Sequence, residues 1–266
     1  MDSENNYLQI NLKSWNEKTD IHIKSEFYDM KGFLDGKLSL NDIEMKLLGD
    51  IKGKSILHLQ CHFGQDTISL SRLGAETTGV DFSEKAIENA LNIAKELKVN
   101  SKFICSDIYS LPQHLDEKFD IVFTSYGVIG WLPDITKWAE VISHFLKPGG
   151  IFVMAEFHPV VWMYDDNFEK ITHSYFNAKP IFETETGSYA DRNAGHTTSC
   201  VVWNHSLSEV ITSLMHQGLT ISDFIEYAYS PYNCFNQTSE IEPGKFVISH
   251  FGNKIPMVFA IRAVKT

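Results

Sequence analysis

The chain is poor in what several classes of protein require. Its 266 residues hold four cysteines, Cys61, Cys105, Cys200 and Cys234, widely spaced and never as Cys-x-x-Cys. That argues against a disulfide framework and suits buried free thiols in a reducing compartment. No Lys/Arg-rich run occurs, and 23 basic against 34 acidic residues leave a net charge of −11. A surface that neutralises phosphates is therefore not expected, and no nucleic-acid partner with it. No apolar stretch approaches the ~20 residues that span a bilayer, so no membrane partner is expected. The opening Met1-Asp2-Ser3-Glu4-Asn5-Asn6 lacks the basic and apolar regions of a signal peptide. These absences point to a soluble, cytoplasmic protein. Internal repeats and low-complexity tracts are also missing, and 43% hydrophobic residues are enough to bury one full α/β core with additions.

What is present centres on residues 55–83. Ile56, Leu57 and Leu59 form the short apolar run of a parallel strand covered on both faces. Phe63 and Gly64 make a turn, Ile68, Leu70 and Leu73 supply the inner side of a helix, and Thr77–Val80 is a β-branched strand ending in Asp81. A carboxylate at the tip of the second strand of a βαβ unit is placed to grip a ribose diol. The spacing alone thus points to a nucleoside site carried by Asp81 and Gly64. A nicotinamide enzyme would need Gly-x-Gly-x-x-Gly to bring backbone against a pyrophosphate, and Leu59-Gln60-Cys61-His62-Phe63-Gly64-Gln65 does not supply it.

The rest of the core follows in order. Ser83 caps a helix with Ala86, Ile87, Ala90, Leu91, Ala94 and Leu97 inward, and Lys102–Cys105 is a third strand. Phe119–Tyr126 is the fourth, ending in Ser125-Tyr126-Gly127-Val128-Ile129-Gly130-Trp131. Asp134 caps a helix that stops at Lys147-Pro148-Gly149-Gly150 and opens a fifth strand, Ile151–Phe157. Asp81, this fourth strand and the Leu-Lys-Pro-Gly-Gly turn, in this order, resemble the class I S-adenosylmethionine-dependent methyltransferases of the small-molecule type. The first motif of that family runs apolar-apolar-acidic-x-Gly-x-Gly-x-Gly. Here His58 stands in the acidic position, Gln60 and His62 stand in two glycine positions, and only Gly64 is kept. Histidine and Asn-like residues tolerate positive φ better than most, so the turn remains possible.

The resemblance implies a three-layer, Rossmann-like, seven-stranded mixed sheet of order 3-2-1-4-5-7-6 with strand 7 antiparallel. Leu219–Tyr229 and Pro256–Val264 are expected to be its last two strands. Residues 1–53 are read as an N-terminal helical cap or lid, and 54–266 as the methyltransferase domain. One insertion, 158–204, holds two strands near 180–186 and 197–203, and Ser206-Leu207-Ser208-Glu209 is a capping box. The implied cofactor is S-adenosylmethionine, with S-adenosylhomocysteine as product. Its site would comprise Gln60, His62, Gly64, Gln65, Asp81, Phe82, Asp107, Ile108, Ser125 and Tyr126. In this assignment Phe82 and Ile108 take the adenine faces and Asp107 its amino group. For Asp107 a turn-capping role is the competing reading.

Methyl transfer is an in-line displacement that mainly needs positioning, so the lack of a catalytic triad is no objection. Glu156, His158 and His196, at or beyond the end of strand five, are the candidate acid–base groups, with solvation the competing reading for each histidine. Trp15, His22, Tyr28, Trp131, Trp162 and Tyr189 are candidate lid and acceptor-pocket residues. The aromatic, weakly polar insertion suits a small organic acceptor. No metal is expected, because His58 and His62 lie on a strand and turn that point them apart. A noncatalytic interaction module with this fold and an NAD-dependent oxidoreductase are the alternatives. Nothing in the sequence specifies an oligomer.

Overall fold

The computed structural model describes residues 6–266; Met1–Asn5 of the opening segment lie outside the described residues. Three helices come first: α1 (Tyr7–His22), α2 (Met30–Leu34) and α3 (Asp42–Leu48). The βαβ core follows as β1 (Ser55–Leu59), α4 (Gln65–Arg72), β2 (Glu76–Asp81), α5 (Glu84–Glu96) and β3 (Lys102–Cys105). Then come β4 (Phe119–Ser125), α6 (Ile135–Phe145) and β5 (Leu146–Phe157). A hairpin of β6 (Ile181–Thr186) and β7 (Thr197–Val202) precedes α7 (Leu207–His216) and β8 (Leu219–Tyr227). A second hairpin, β9 (Thr238–Glu242) and β10 (Lys245–Ile248), precedes β11 (Val258–Lys265).

The main sheet runs β3-β2-β1-β4-β5-β11-β8, with β11 antiparallel to both neighbours. Since β8 and β11 are its sixth and seventh strands in the chain, this is the order the resemblance implies. Central strands are apolar on both sides because helices cover both faces. Leu57, Leu59 and Phe152 pack with Trp138, Ile142 and Phe145 of α6 and Leu214 of α7. Ile56, Phe123 and Val153 pack with Ile43, Leu47 and Leu48 of α3. The expected caps form: Ser83 Oγ accepts from Ala86 N–H, Asp134 from Lys137 N–H, and Ser206 Oγ from Glu209 N–H. Gly49, at φ +67°, closes α3.

The N-terminal cap packs through a polar face, and three expectations are corrected. The segment around Trp15 is one 16-residue helix, and its buried face is polar: Asn11, Ser14, Lys18, Thr19 and His22. Asn11 explains why, since its side-chain amide exchanges two 2.8 Å hydrogen bonds with the backbone of Val201. In this way α1 docks on the free edge of β7. The β5 ladder starts at Leu146, not Ile151; Phe119 pairs with Leu146 and Ile121 with Ile151, so Lys147–Gly150 bulge out between them. There are two excursions from the sheet rather than one, the second being 228–257 with its β9–β10 hairpin. At α7 only half of the capping box forms, because the Glu209 carboxylate turns to His205 Nδ1 at 3.1 Å.

Candidate active site

The carboxyl ends of β1, β2 and β4 open into a cavity of about 1050 Å³. Its floor is the turn after β1. Gln60, His62 and Gly64 have φ of +57°, +51° and +79°, so the three positions where the resemblance places glycines all have left-handed backbone. Such a conformation costs a non-glycine residue on the order of 1–3 kcal/mol and persists only where surrounding contacts fix it. Here they do. Gln60 Nε2 donates to the Val128 carbonyl at 2.9 Å. The His62 ring lies among Phe63, Trp15 and Tyr28, with its Nε2 3.0 Å from His22 Nδ1. Gly64 admits no side chain, because a Cβ there would lie 2.6 Å from the Phe103 ring.

Asp81 stands at the tip of β2, 8% exposed and on the cavity wall. Its Oδ2 accepts from His62 N–H at 2.8 Å and its Oδ1 from Ser83 N–H at 2.9 Å. Burial pushes its carboxyl up to about 6, opposed by these amides. Each oxygen keeps a further lone pair. Phe82, Gln65, Ser125 and Tyr126 also line the cavity. Gln65 Nε2 donates to the Tyr28 carbonyl at 2.9 Å, and Ser125 Oγ to Asp66 Oδ2 at 3.1 Å. Asp107 and Ile108 do not reach the lining. Asp107 Oδ1 accepts from the N–H groups of Tyr109 and Ser110, each at 3.0 Å, in a turn cap, and Ile108 is buried in the core with Leu111 and Phe119.

The roof comes from α1 and the turn after it, the loop after β4 and the two excursions. Trp15, Tyr28, Trp131, Trp162 and Tyr189 all line the cavity. Trp15 meets Trp131 edge-on at 5.1 Å, and the hydroxyls of Tyr28 and Tyr189 are 2.6 Å apart. His22 sits behind the lining, fully buried; its Nε2 is 2.6 Å from Ser188 Oγ while its other nitrogen meets His62. Burial lowers the pKa values of both rings, His62 to about 3. Two neutral imidazoles thus tie the β1 turn, α1 and the β6–β7 loop together.

The three acid–base candidates do not converge. His158 is buried outside the lining, with Nε2 2.9 Å from Glu226. His196 is on the exterior beside Glu17 at 3.0 Å. Glu156 does reach the cavity, but its two oxygens accept from the N–H groups of Gly127, Val128, Ile129 and Phe157 at 2.5–3.1 Å. It anchors the loop after β4 and has no free oxygen for an incoming proton.

His58 lines the cavity with Nδ1 2.8 Å from Thr67 Oγ1, and burial lowers it to about 4. The sequence reading missed Asn41 and Glu44, which form the capping box of α3, Asp66, which directly follows the 60–65 turn, and Tyr232 and Phe235, which belong to the unrecognised second excursion. It also missed a Glu183–Glu185–Cys200 cluster on the β6–β7 hairpin. A cation already serves that cluster, since Lys18 Nζ lies 2.8 Å from Glu185.

A family model described as a methyltransferase domain matches residues 50–212. The chain is 36% identical over 130 residues to demethylmenaquinone methyltransferase of Lactococcus lactis, covering 47% of this chain and 51% of that one. It is 32% identical over 114 residues to a ubiquinone biosynthesis O-methyltransferase of Coxiella burnetii, covering 42% and 48%. It therefore spans about half the length of these curated relatives. Among solved structures, an S-adenosylmethionine-dependent methyltransferase from Clostridium acetobutylicum superposes with a TM-score of 0.58 at 15% identity, over 95% of this chain and 99% of that one. This last likeness bears on the fold.

Proposed function

The chain belongs to the class I S-adenosylmethionine-dependent methyltransferase family, and from that premise we propose that it transfers a methyl group to a small organic acceptor held in the aromatic half of its cavity. The observation that carries the proposal is the floor of that cavity. Three alternate left-handed positions, 60, 62 and 64, keep the glycine-type backbone path although two of them carry side chains. Beside them Asp81 offers unused lone pairs to a diol.

The residues present fit the cofactor. Ligand cavities of about 300–1,000 Å³ hold drug-sized molecules, and this one, at about 1050 Å³, has room for a nucleoside and an acceptor together. Gln60 Oε1 and His62 Nδ1 are buried polar atoms without a protein partner. In the proposed division of labour Asp81 takes the ribose hydroxyls, Phe82 an adenine face, and the turn 60–65 the methionine end. Asp107 and Ile108 are left out because the cavity does not reach them. When bound, the cofactor supplies a methyl on a sulfonium: the acceptor's lone pair forms the new bond to carbon, the S–CH₃ bond breaks, and its electron pair stays on sulfur.

The protein's own contribution is to hold the acceptor in line, exclude water and accept a proton where one is released. Trp15, Tyr28, Trp131, Trp162 and Tyr189 close the chamber, which supports the reading of α1 and the β6–β7 hairpin as a lid. The test is mass-shift detection of methylated products after incubating the chain, S-adenosylmethionine and a metabolite mixture. A product gaining one methyl is expected. No transfer to any component, with S-adenosylhomocysteine nonetheless bound, would instead favour a noncatalytic module.

A further inference from the structure

One wall of the cavity carries a chain of hydrogen-bonded groups, Tyr126, Glu44, Asn41 and Tyr232. Tyr126 leaves the carboxyl end of β4 and lines the cavity, and its O–H donates to Glu44 Oε2 at 2.7 Å. No hydrogen bond to the Tyr126 oxygen itself occurs among the described residues, so that oxygen can still accept. Glu44 lies in the first turn of α3, fully buried. Its Oε1 accepts from Asn41 N–H at 2.6 Å, which is the return arm of a capping box. Capping uses one oxygen and requires no burial. The bond from Tyr126 to the second oxygen lies outside that role.

Tyr232 stands across from Tyr126, the ring centroids 5.1 Å apart. Its oxygen accepts from Asn41 Nδ2 at 2.7 Å, so its own O–H hydrogen remains free to donate. The two phenols therefore offer one acceptor and one donor side by side. A hydroxyl matches this pair: it gives its hydrogen to Tyr126, receives one from Tyr232, and keeps a second lone pair for the methyl. A tertiary amine or a thioether has no hydrogen to give. The surrounding surface is aromatic and apolar, with Phe157, Trp162 and Phe235 packed against one another at 5.0–5.8 Å.

Resting on the methyltransferase reading above, we propose that Tyr126, backed by Glu44, takes the acceptor's proton, and that the acceptor is a weakly acidic hydroxyl on an apolar body, a phenol or an enol. The acceptor's O–H bond breaks and its proton goes to the Tyr126 oxygen. The proton of Tyr126 passes in the same event to Glu44 Oε2, and the electron pair left on the acceptor oxygen is the one that bonds the methyl carbon. Glu44 does not touch the acceptor; it acts through Tyr126. Burial holds the Glu44 carboxyl up at about 7, close to the working pH. Burial and the facing Glu44 hold the Tyr126 phenol well above its ordinary value, so no phenolate accumulates there. The other titratable groups facing Glu44 are Asp66 from α4, Tyr232, and Tyr227 at the end of β8, all acidic or phenolic.

The test is infrared difference spectroscopy of the chain with S-adenosylhomocysteine, before and after addition of 4-nitrophenol. It is run at about pH 7, near the Glu44 midpoint, where about half of that carboxyl is ionised and a comparable share of the probe still carries its hydroxyl proton. Growth of a protonated-carboxyl band is expected with the probe. It is absent in Glu44→Gln, a variant that keeps the capping arm because glutamine fills it as glutamate does. It falls by about tenfold in Tyr126→Phe, which keeps the ring but removes the O–H that links Glu44 to the deprotonated acceptor and stabilises it. An absent band with the probe bound, an undiminished band in Tyr126→Phe, or no binding of the probe while S-adenosylhomocysteine binds by calorimetry would each overturn the relay. Failure of S-adenosylhomocysteine itself to bind would sink the methyltransferase reading, and the relay with it.

Discussion

Asp81 and Glu44 are two buried carboxyls displaced in the same direction, and each makes a distinct prediction. Burial sets Asp81 at about 6, and a ribose diol is held by its ionised form. Binding then lowers its pKa, so S-adenosylhomocysteine affinity is expected to fall as pH drops through about 6, by up to about tenfold per unit. Calorimetry across that range checks it, and a flat profile would remove Asp81 from the site. For Glu44 the linked quantity is stability. Its pKa is raised from 4.5 to about 7, so between those values the unfolded chain releases a proton that the folded one keeps. Folding therefore weakens as pH rises through this window, by on the order of 3 kcal/mol when complete. Glu44→Gln should match the parent near pH 4.5 and exceed it above 7 in denaturant titrations. A gap independent of pH would contradict the burial of that carboxyl. The capping box of Asn41 and Glu44 is a local pattern, but the placement of Glu44 and Asp66 among partners from residues 39–44, 66, 125–126 and 232 is not. Asp81 was legible because its position follows from one βαβ unit.

Elements that pack by apolar periodicity were read well, and those that pack by polar contacts were not. The inner face of α6 and the caps at Ser83, Asp134 and Ser206 are local signals, whereas on α5 Leu91, read as inward, is 48% exposed and Ile93 is buried instead. By contrast α1 turns Asn11, Ser14, Lys18 and His22 inward, so its amphipathic pattern is inverted and no apolar stripe marks its inner face. The second hairpin had a usable signal in Pro243-Gly244, with Gly244 at φ +71°, between segments too short and polar to stand out. Asn11 is the clearest test at this scale. Asn11→Ala leaves the Val201 N–H and C=O buried and unpaired, at an expected cost of about 2–4 kcal/mol. Thermal unfolding and amide exchange should show α1 and β7 loosening together. An unchanged melting temperature would mean that α1 does not dock through Asn11. Gly64→Ala should cost at least about 2 kcal/mol, since it adds a Cβ against Phe103 at a left-handed φ; a stability equal to the parent would contradict the packing of that turn.

Across the whole molecule the sheet order was legible because strand sequence, the Asp81 tip and the Lys147-Pro148-Gly149-Gly150 turn each fix one part of one topology. The chamber above the sheet was not, since it is closed by α1, the β6–β7 loop and 228–257, which meet only in space. Among the described residues no helix is long and apolar enough to cross a membrane. The account turns on whether a floor that replaces two glycines by Gln60 and His62 still receives a nucleoside. The most direct measurement is calorimetric titration of the chain with S-adenosylhomocysteine, run beside Asp81→Asn. The account predicts saturable one-to-one binding in the micromolar range, weakened by about tenfold or more in the variant. Absence of binding, or binding of NADH in its place, would contradict it.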